Sequence, residues 1–252
     1  MLLLLKLLVA PALVGAVTLS VRRWGPAVGG WLSGMPVVAG PVLVFMSVEQ
    51  GTTFGAEAAH ATLSGLIGTV AFALTYARLS LRARWYVCLL AGWIVFGLVT
   101  YALYVIDPPL WASLAGLVAA SIIGPRLLPV VDAPPTAGSP RGDLIFRLVT
   151  TAVLVLLLTA VADELGPTVS GLLNAFPVLS TIITAFTHAQ HGSGPTIAFV
   201  RGFSRSIIGF GSFAFMLALT MVALGLGWSL VLAMVSQVIV SGLTLRRSRR
   251  RA

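Results

Sequence analysis

Long apolar runs recur along almost the whole chain, at about residues 2–20, 25–48, 57–77, 85–106, 109–125, 144–162, 165–187, 200–224 and 227–245. All but one approach the ~20 residues that a helix needs to cross a bilayer. In lipid the backbone must satisfy its own hydrogen bonds, and a helix does this segment by segment. A barrel would instead show strands of about ten residues with alternating polarity. Only 9% of the residues are charged, where a soluble domain carries about a quarter. The sequence therefore predicts an all-α, polytopic membrane helical bundle with nine transmembrane helices. The run 109–125 is the shortest, held between Pro109 and Pro125. It crosses if the bilayer thins locally or Arg126 snorkels; a re-entrant course is the alternative.

The charges between the runs set an orientation. Arg22 and Arg23 follow the first run, Glu49 and Glu57 the second, Arg78, Arg82 and Arg84 the third, and Asp107 the fourth. Arg126, Arg141 and Arg147 surround the next connection, Asp163 and Glu164 follow the sixth run, and Arg201 and Arg205 follow the seventh. Five arginines between Arg246 and Arg251 close the chain, and Lys6 is the one basic residue out of step. Basic loops stay in the cytoplasm. The expected arrangement is a multi-pass protein of the cell (inner) membrane, with its amino terminus outside and its carboxyl terminus in the cytoplasm. The net charge of +9 is then topological, and no nucleic acid partner is implied. The first run lacks a basic region ahead of it and is followed by arginines, so it reads as a retained helix rather than a signal peptide. Cys88 stands alone in an apolar run, with no neighbour for a disulfide or metal site.

The chain also repeats itself. At a constant offset of 141 residues Gly25 meets Gly166, Pro26 meets Pro167, Gly30 meets Gly171, Leu32 meets Leu173, Pro36 meets Pro177 and Phe45 meets Phe186. The register continues without a gap to Gly68 and Gly209, Phe72 and Phe213. Five runs separate the start of one copy from the start of the other, and an odd number of crossings turns the second copy upside down. The expected organisation is a first repeat at 1–128 with five spans and a cytoplasmic linker at 129–142. A second, inverted repeat at 143–245 has four spans, and a basic tail fills 246–252. Inverted repeats with glycine and proline inside apolar segments are a common build for secondary transporters.

Three groups of residues are candidates for the site. Met35-Pro36 and Phe176-Pro177 interrupt equivalent runs, because proline removes a backbone donor and disfavours helix at the preceding residue. Gly40-Pro41 adds a second expected break in the first copy. Ser33 and Asn174 hold equivalent positions just before the breaks, so Ser33, Pro36, Asn174 and Pro177 form a substrate-binding set; ordinary helix packing is the competing reading. In the second group, Glu57, His60 and Ser64 share a helix face, with Glu49 nearby. Acids and histidines at the membrane often mark proton or ion routes, which makes Glu49, Glu57 and His60 candidates for coupling; a solvated rim is the alternative. In the third, Arg201 and Arg205 lie one turn apart, at the positions equivalent to His60 and Ser64. They suit an anionic substrate group, or serve only as inside positives.

The expected function is a secondary transporter or permease for a small solute, with its site where the repeats meet. A membrane scaffold or accessory subunit is the alternative. Neither a nucleotide-binding loop nor a zinc or serine-hydrolase motif is present, so no enzyme and no cofactor are expected. Membrane lipids surround the chain, and the sequence leaves a homo-oligomer open.

Overall fold

The computed structural model describes residues 2–36, 39–131, 143–162 and 167–249, and every regular element among them is helical. The first half contains α1 (Leu2–Trp24), α2 (Pro26–Ser33), α3 (Ala39–Gln50), α4 (Thr52–Leu79), α5 (Trp85–Ile106) and α6 (Leu110–Ile123), which runs into a 3-10 turn at Gly124–Leu127. The second contains α7 (Asp143–Ala162), α8 (Pro167–Asn174), α9 (Val178–His191) and α10 (Ser193–Arg249). Gly225 is non-helical and divides α10 into two limbs, 193–224 and 226–249. The limbs fold back on each other, since the Ser236 hydroxyl bonds the Ser212 carbonyl at 3.3 Å.

Among the described residues, five helical stretches are long and apolar enough to cross a membrane: Thr52–Leu79, Trp85–Ile106, Leu110–Leu127, Thr168–His191 and Ser193–Thr244. The protein is therefore a membrane-embedded helical bundle. The short sixth element reaches this length because the 3-10 turn carries it past Pro125 to Leu127. Helix α4 is central, with 72% of its apolar window buried, and α5 is peripheral, with 11%. Leu90, Ile94, Leu98, Tyr101 and Val105 form an exposed apolar ridge along α5, the face such a helix turns to lipid.

One sequence expectation is corrected. Pro41 does not break the chain a second time. It lies in the first turn of α3, where the missing amide has no intrahelical partner to lose. Helix α10 continues to Arg249. Residues 132–142, which hold most of the expected linker, and Asp163, Glu164 and Gly166 lie outside the described residues.

Close helix contacts recur at the offset of the repeat. A side chain on Gly30 would collide with the Phe199 carbonyl, and one on Gly171 with the Ala58 carbonyl. Gly34 packs on Ser206, and Gly65 on Ala175. Gly68 packs on Thr100, and Gly209 on Ser241. For the last pair the second contact is the first with 141 added to both numbers; in the other two pairs 141 is added to one number and subtracted from the other. So α2 packs on the first limb of α10 as α8 packs on α4. The turns follow suit: Gly51 before α4 and Gly192 before α10 have φ of 92° and 79°, a left-handed backbone that glycine adopts without steric cost.

Candidate functional site: a cavity between two interrupted helices

The chain leaves its helix at residues 34–36, and again between Asn174 and Val178. Each gap holds the expected proline. Pro177, at φ −77° and ψ 56°, centres an inverse γ-turn in which the Val178 amide donates to the Phe176 carbonyl at 2.8 Å. At the first gap the Gly34 and Met35 amides reach back only three residues, to the Trp31 and Leu32 carbonyls at 3.3 Å. Helix α2 thus tightens into a 3-10 turn as it ends.

Both gaps border one cavity of about 130 Å³. Ser33, Met35 and Ala39 line it from the first gap, and Asn174, Phe176, Pro177 and Ser180 from the second. Leu66 and Thr69 come from α4, and Ile207 and Phe210 from α10. Five equivalent pairs face each other here: Ser33 with Asn174, Met35 with Phe176, Ala39 with Ser180, Leu66 with Ile207 and Thr69 with Phe210. Pro36 lies in its gap without lining the cavity. Every described lining side chain is uncharged.

The polar lining is tied to backbone. Asn174 donates its amide to the Ala39 carbonyl at 3.3 Å and to the Thr62 hydroxyl at 3.4 Å. Thr62 and Thr69, two turns apart on α4, reach the carbonyls of Gly171 and Ala175 at 3.0 and 2.5 Å. The carbonyls freed at the end of α8 are thereby bonded within the protein. The equivalent positions on α10 are Phe203 and Phe210. One side of the cavity is therefore hydroxyl-rich and the other aromatic. Sequence reading missed this contrast. Aligning residues 62 and 69 with 203 and 210 at the repeat offset would have exposed it.

The acidic group lies apart from the cavity. Glu57, His60 and Ser64 share an open pocket of about 350 Å³ with Tyr104, Asp107 and Thr168. The imidazole of His60 is bonded there: its Nε2 is 3.0 Å from the Pro108 carbonyl, which can only accept, so the proton is on Nε2. Ser64 and Ser113 pair at 2.9 Å beside it. These bonds join α4 to the turn between α5 and α6 and to α6 itself. Glu49 is exposed at the end of α3, and no cluster able to hold a metal ion occurs among the described residues.

Arg201 and Arg205 do not line the cavity. The Arg201 Nη2 donates to the Leu128 and Pro129 carbonyls at 2.8 and 2.9 Å, so it anchors the chain that follows α6. Arg205 is half-buried one turn further along α10.

A buried ionic network was not anticipated. Asp143, at the start of α7, accepts from Arg22 of α1 and from Arg147 of α7, both at 2.9 Å. Gln190 of α9 bonds the same carboxylate. Arg147 also stacks over Phe186, 4.7 Å from its ring centre. Asp143 lies one residue outside the apolar run 144–162. Burial pushes its pKa up, but the bonds from Gln190, Arg147 and Arg22 outweigh this and hold it below the usual value. The spacing of Asp143 and Arg147 is legible in sequence, whereas their partners on α1 and α9 are not. Neither a protein family, nor a curated protein, nor a solved structure matches this chain.

Proposed function

We propose that the chain is a secondary transporter whose two repeats thread the membrane in opposite directions, five spans and then four. Its amino terminus lies outside and its carboxyl terminus in the cytoplasm. The small solute binds where the interrupted helices meet, at Ser33, Asn174 and Pro177. The observation that carries this reading is the shared cavity, bordered by equivalent residues from both halves. Related pairs of broken helices at a repeat interface form the substrate sites of many carriers, and rocking of one repeat against the other alternates access. The recurrent backbone contacts between the halves, Gly30 on Phe199 and Gly171 on Ala58, support two similarly built halves.

Alternating access predicts that the cavity is reachable from either side. In a Cys88→Ala background, Ser33→Cys and Asn174→Cys should react with a membrane-impermeant maleimide in right-side-out and in inverted vesicles. Silence of both positions from both sides would overturn the carrier. Tags on the two chain ends should report opposite compartments; finding them together would remove the inverted geometry.

The scaffold reading draws on a different observation. The Arg201 guanidinium is bonded to two backbone carbonyls, and His60 to a third. If both residues serve only packing, substitutions there will alter stability alone.

A further inference from the structure

Among the described residues, the side chains of the central cavity offer hydrogen-bond acceptors and few donors. Three of its hydroxyls already direct their protons to backbone: Ser33 to Gly29 at 3.0 Å, Thr69 to Ala175 at 2.5 Å and Ser180 to Pro177 at 3.3 Å. A hydroxyl that donates in this way presents its lone pairs to whatever lies beside it. The Asn174 amide nitrogen is likewise engaged, by Ala39 and Thr62, which leaves its oxygen as the group to offer. A solute that meets these side chains must therefore bring the N–H or O–H.

Charge narrows the class further. No ionised side chain among the described residues lines the cavity. An ion placed there would lose its hydration without a counter-charge, which is costly in a low-dielectric site. Nor is there an open ring of carbonyls to replace a hydration shell, since those of Ala39, Gly171, Ala175 and Pro177 already accept bonds. The opposite wall, with Phe203 and Phe210, suits an apolar body.

Size sets the third limit. The cavity measures about 130 Å³, and an engineered apolar cavity of about 150 Å³ takes up benzene. We infer that the repeat-interface cavity holds an uncharged organic solute of about benzene size, whose O–H or N–H meets the α4–α8 wall and whose apolar body meets Phe210. This rests on the carrier reading for the identity of the site.

Equilibrium binding tests it without requiring transport, so a failure to hold the solute and a failure to move it are separate results. Labelled phenol is dialysed against protein in nanodiscs, with empty nanodiscs subtracting lipid uptake. Saturable binding is expected, competed by unlabelled phenol but not by toluene, benzoate or guanidinium. Thr69→Val should weaken it about five- to tenfold, the effect of one lost hydrogen bond. Ala39→Leu, or Leu66→Phe if the first variant does not fold, should abolish it by filling the space. Competition by benzoate or guanidinium equal to that of phenol would overturn the inference. So would equal competition by toluene, the absence of a saturable component, or binding that survives both filling variants.

Discussion

Asn174 at the end of α8 donates its side-chain amide to the carbonyl of Ala39, the first residue of α3, at 3.3 Å. This bond joins the two interruptions directly. Removing it without changing the size of the side chain greatly, as in Asn174→Leu, leaves the Ala39 carbonyl without that donor. A loss of about 0.5–1.5 kcal/mol follows from the lost hydrogen bond, since that carbonyl still accepts within α3. Thermal unfolding in detergent should show it, and Asn174→Gln should recover part of the loss.

The close contacts between helices should respond in pairs. Gly30→Ala and Gly171→Ala each force a Cβ into a backbone carbonyl. Backbone cannot rotate aside, so the helices must separate, and overpacking of this kind costs about 1–3 kcal/mol. Gly97 on α5 has open space around it, and Gly97→Ala should be neutral or slightly stabilising through helix propensity. Equal melting temperatures for all three variants would contradict the packing described.

Acid should loosen the contact between α1, α7 and α9. The Asp143 carboxyl has a lowered pKa in the folded protein, so its stabilising effect is present above the ordinary carboxylate range. That effect is lost as pH falls through the lowered folded value. Unfolding temperature should drop on acidification more in the wild type than in Asp143→Asn, which lacks the titrating group. At neutral pH, Asp143→Ala should cost about 3 kcal/mol or more, because it strands the buried Arg147. A pH profile identical in Asp143→Asn and wild type would count against it.

Arg201 should act locally. Arg201→Ala removes two bonds to the chain after the 3-10 turn, so backbone amides near residues 127–131 should exchange faster with deuterium. The protection of α4 should not change. Unaltered exchange at 127–131 would mean that Arg78, which also bonds the Leu127 carbonyl at 3.0 Å, suffices alone.

Much of this architecture was legible in the chain itself. Apolar run lengths specify helices because lipid offers the backbone no other partner, and Pro36 and Pro177 marked both interruptions because proline acts on its own residue and the one before. Those effects are local, so one dimension suffices to read them. Pro41 misled because its consequence depends on whether a helix is starting, which the neighbouring residues do not fix.

The choice of partners was decided only in three dimensions. The sequence placed Arg201 as an anion-binding candidate, yet its guanidinium holds Leu128 and Pro129, 73 and 72 residues away in the chain. Asp143 bordered a linker in sequence, yet it is buried between helices that begin 141 residues apart. Short-range rules determine where helices form and where they stop; which side chains meet depends on how the finished helices dock, and no spacing along the chain encodes that distance directly.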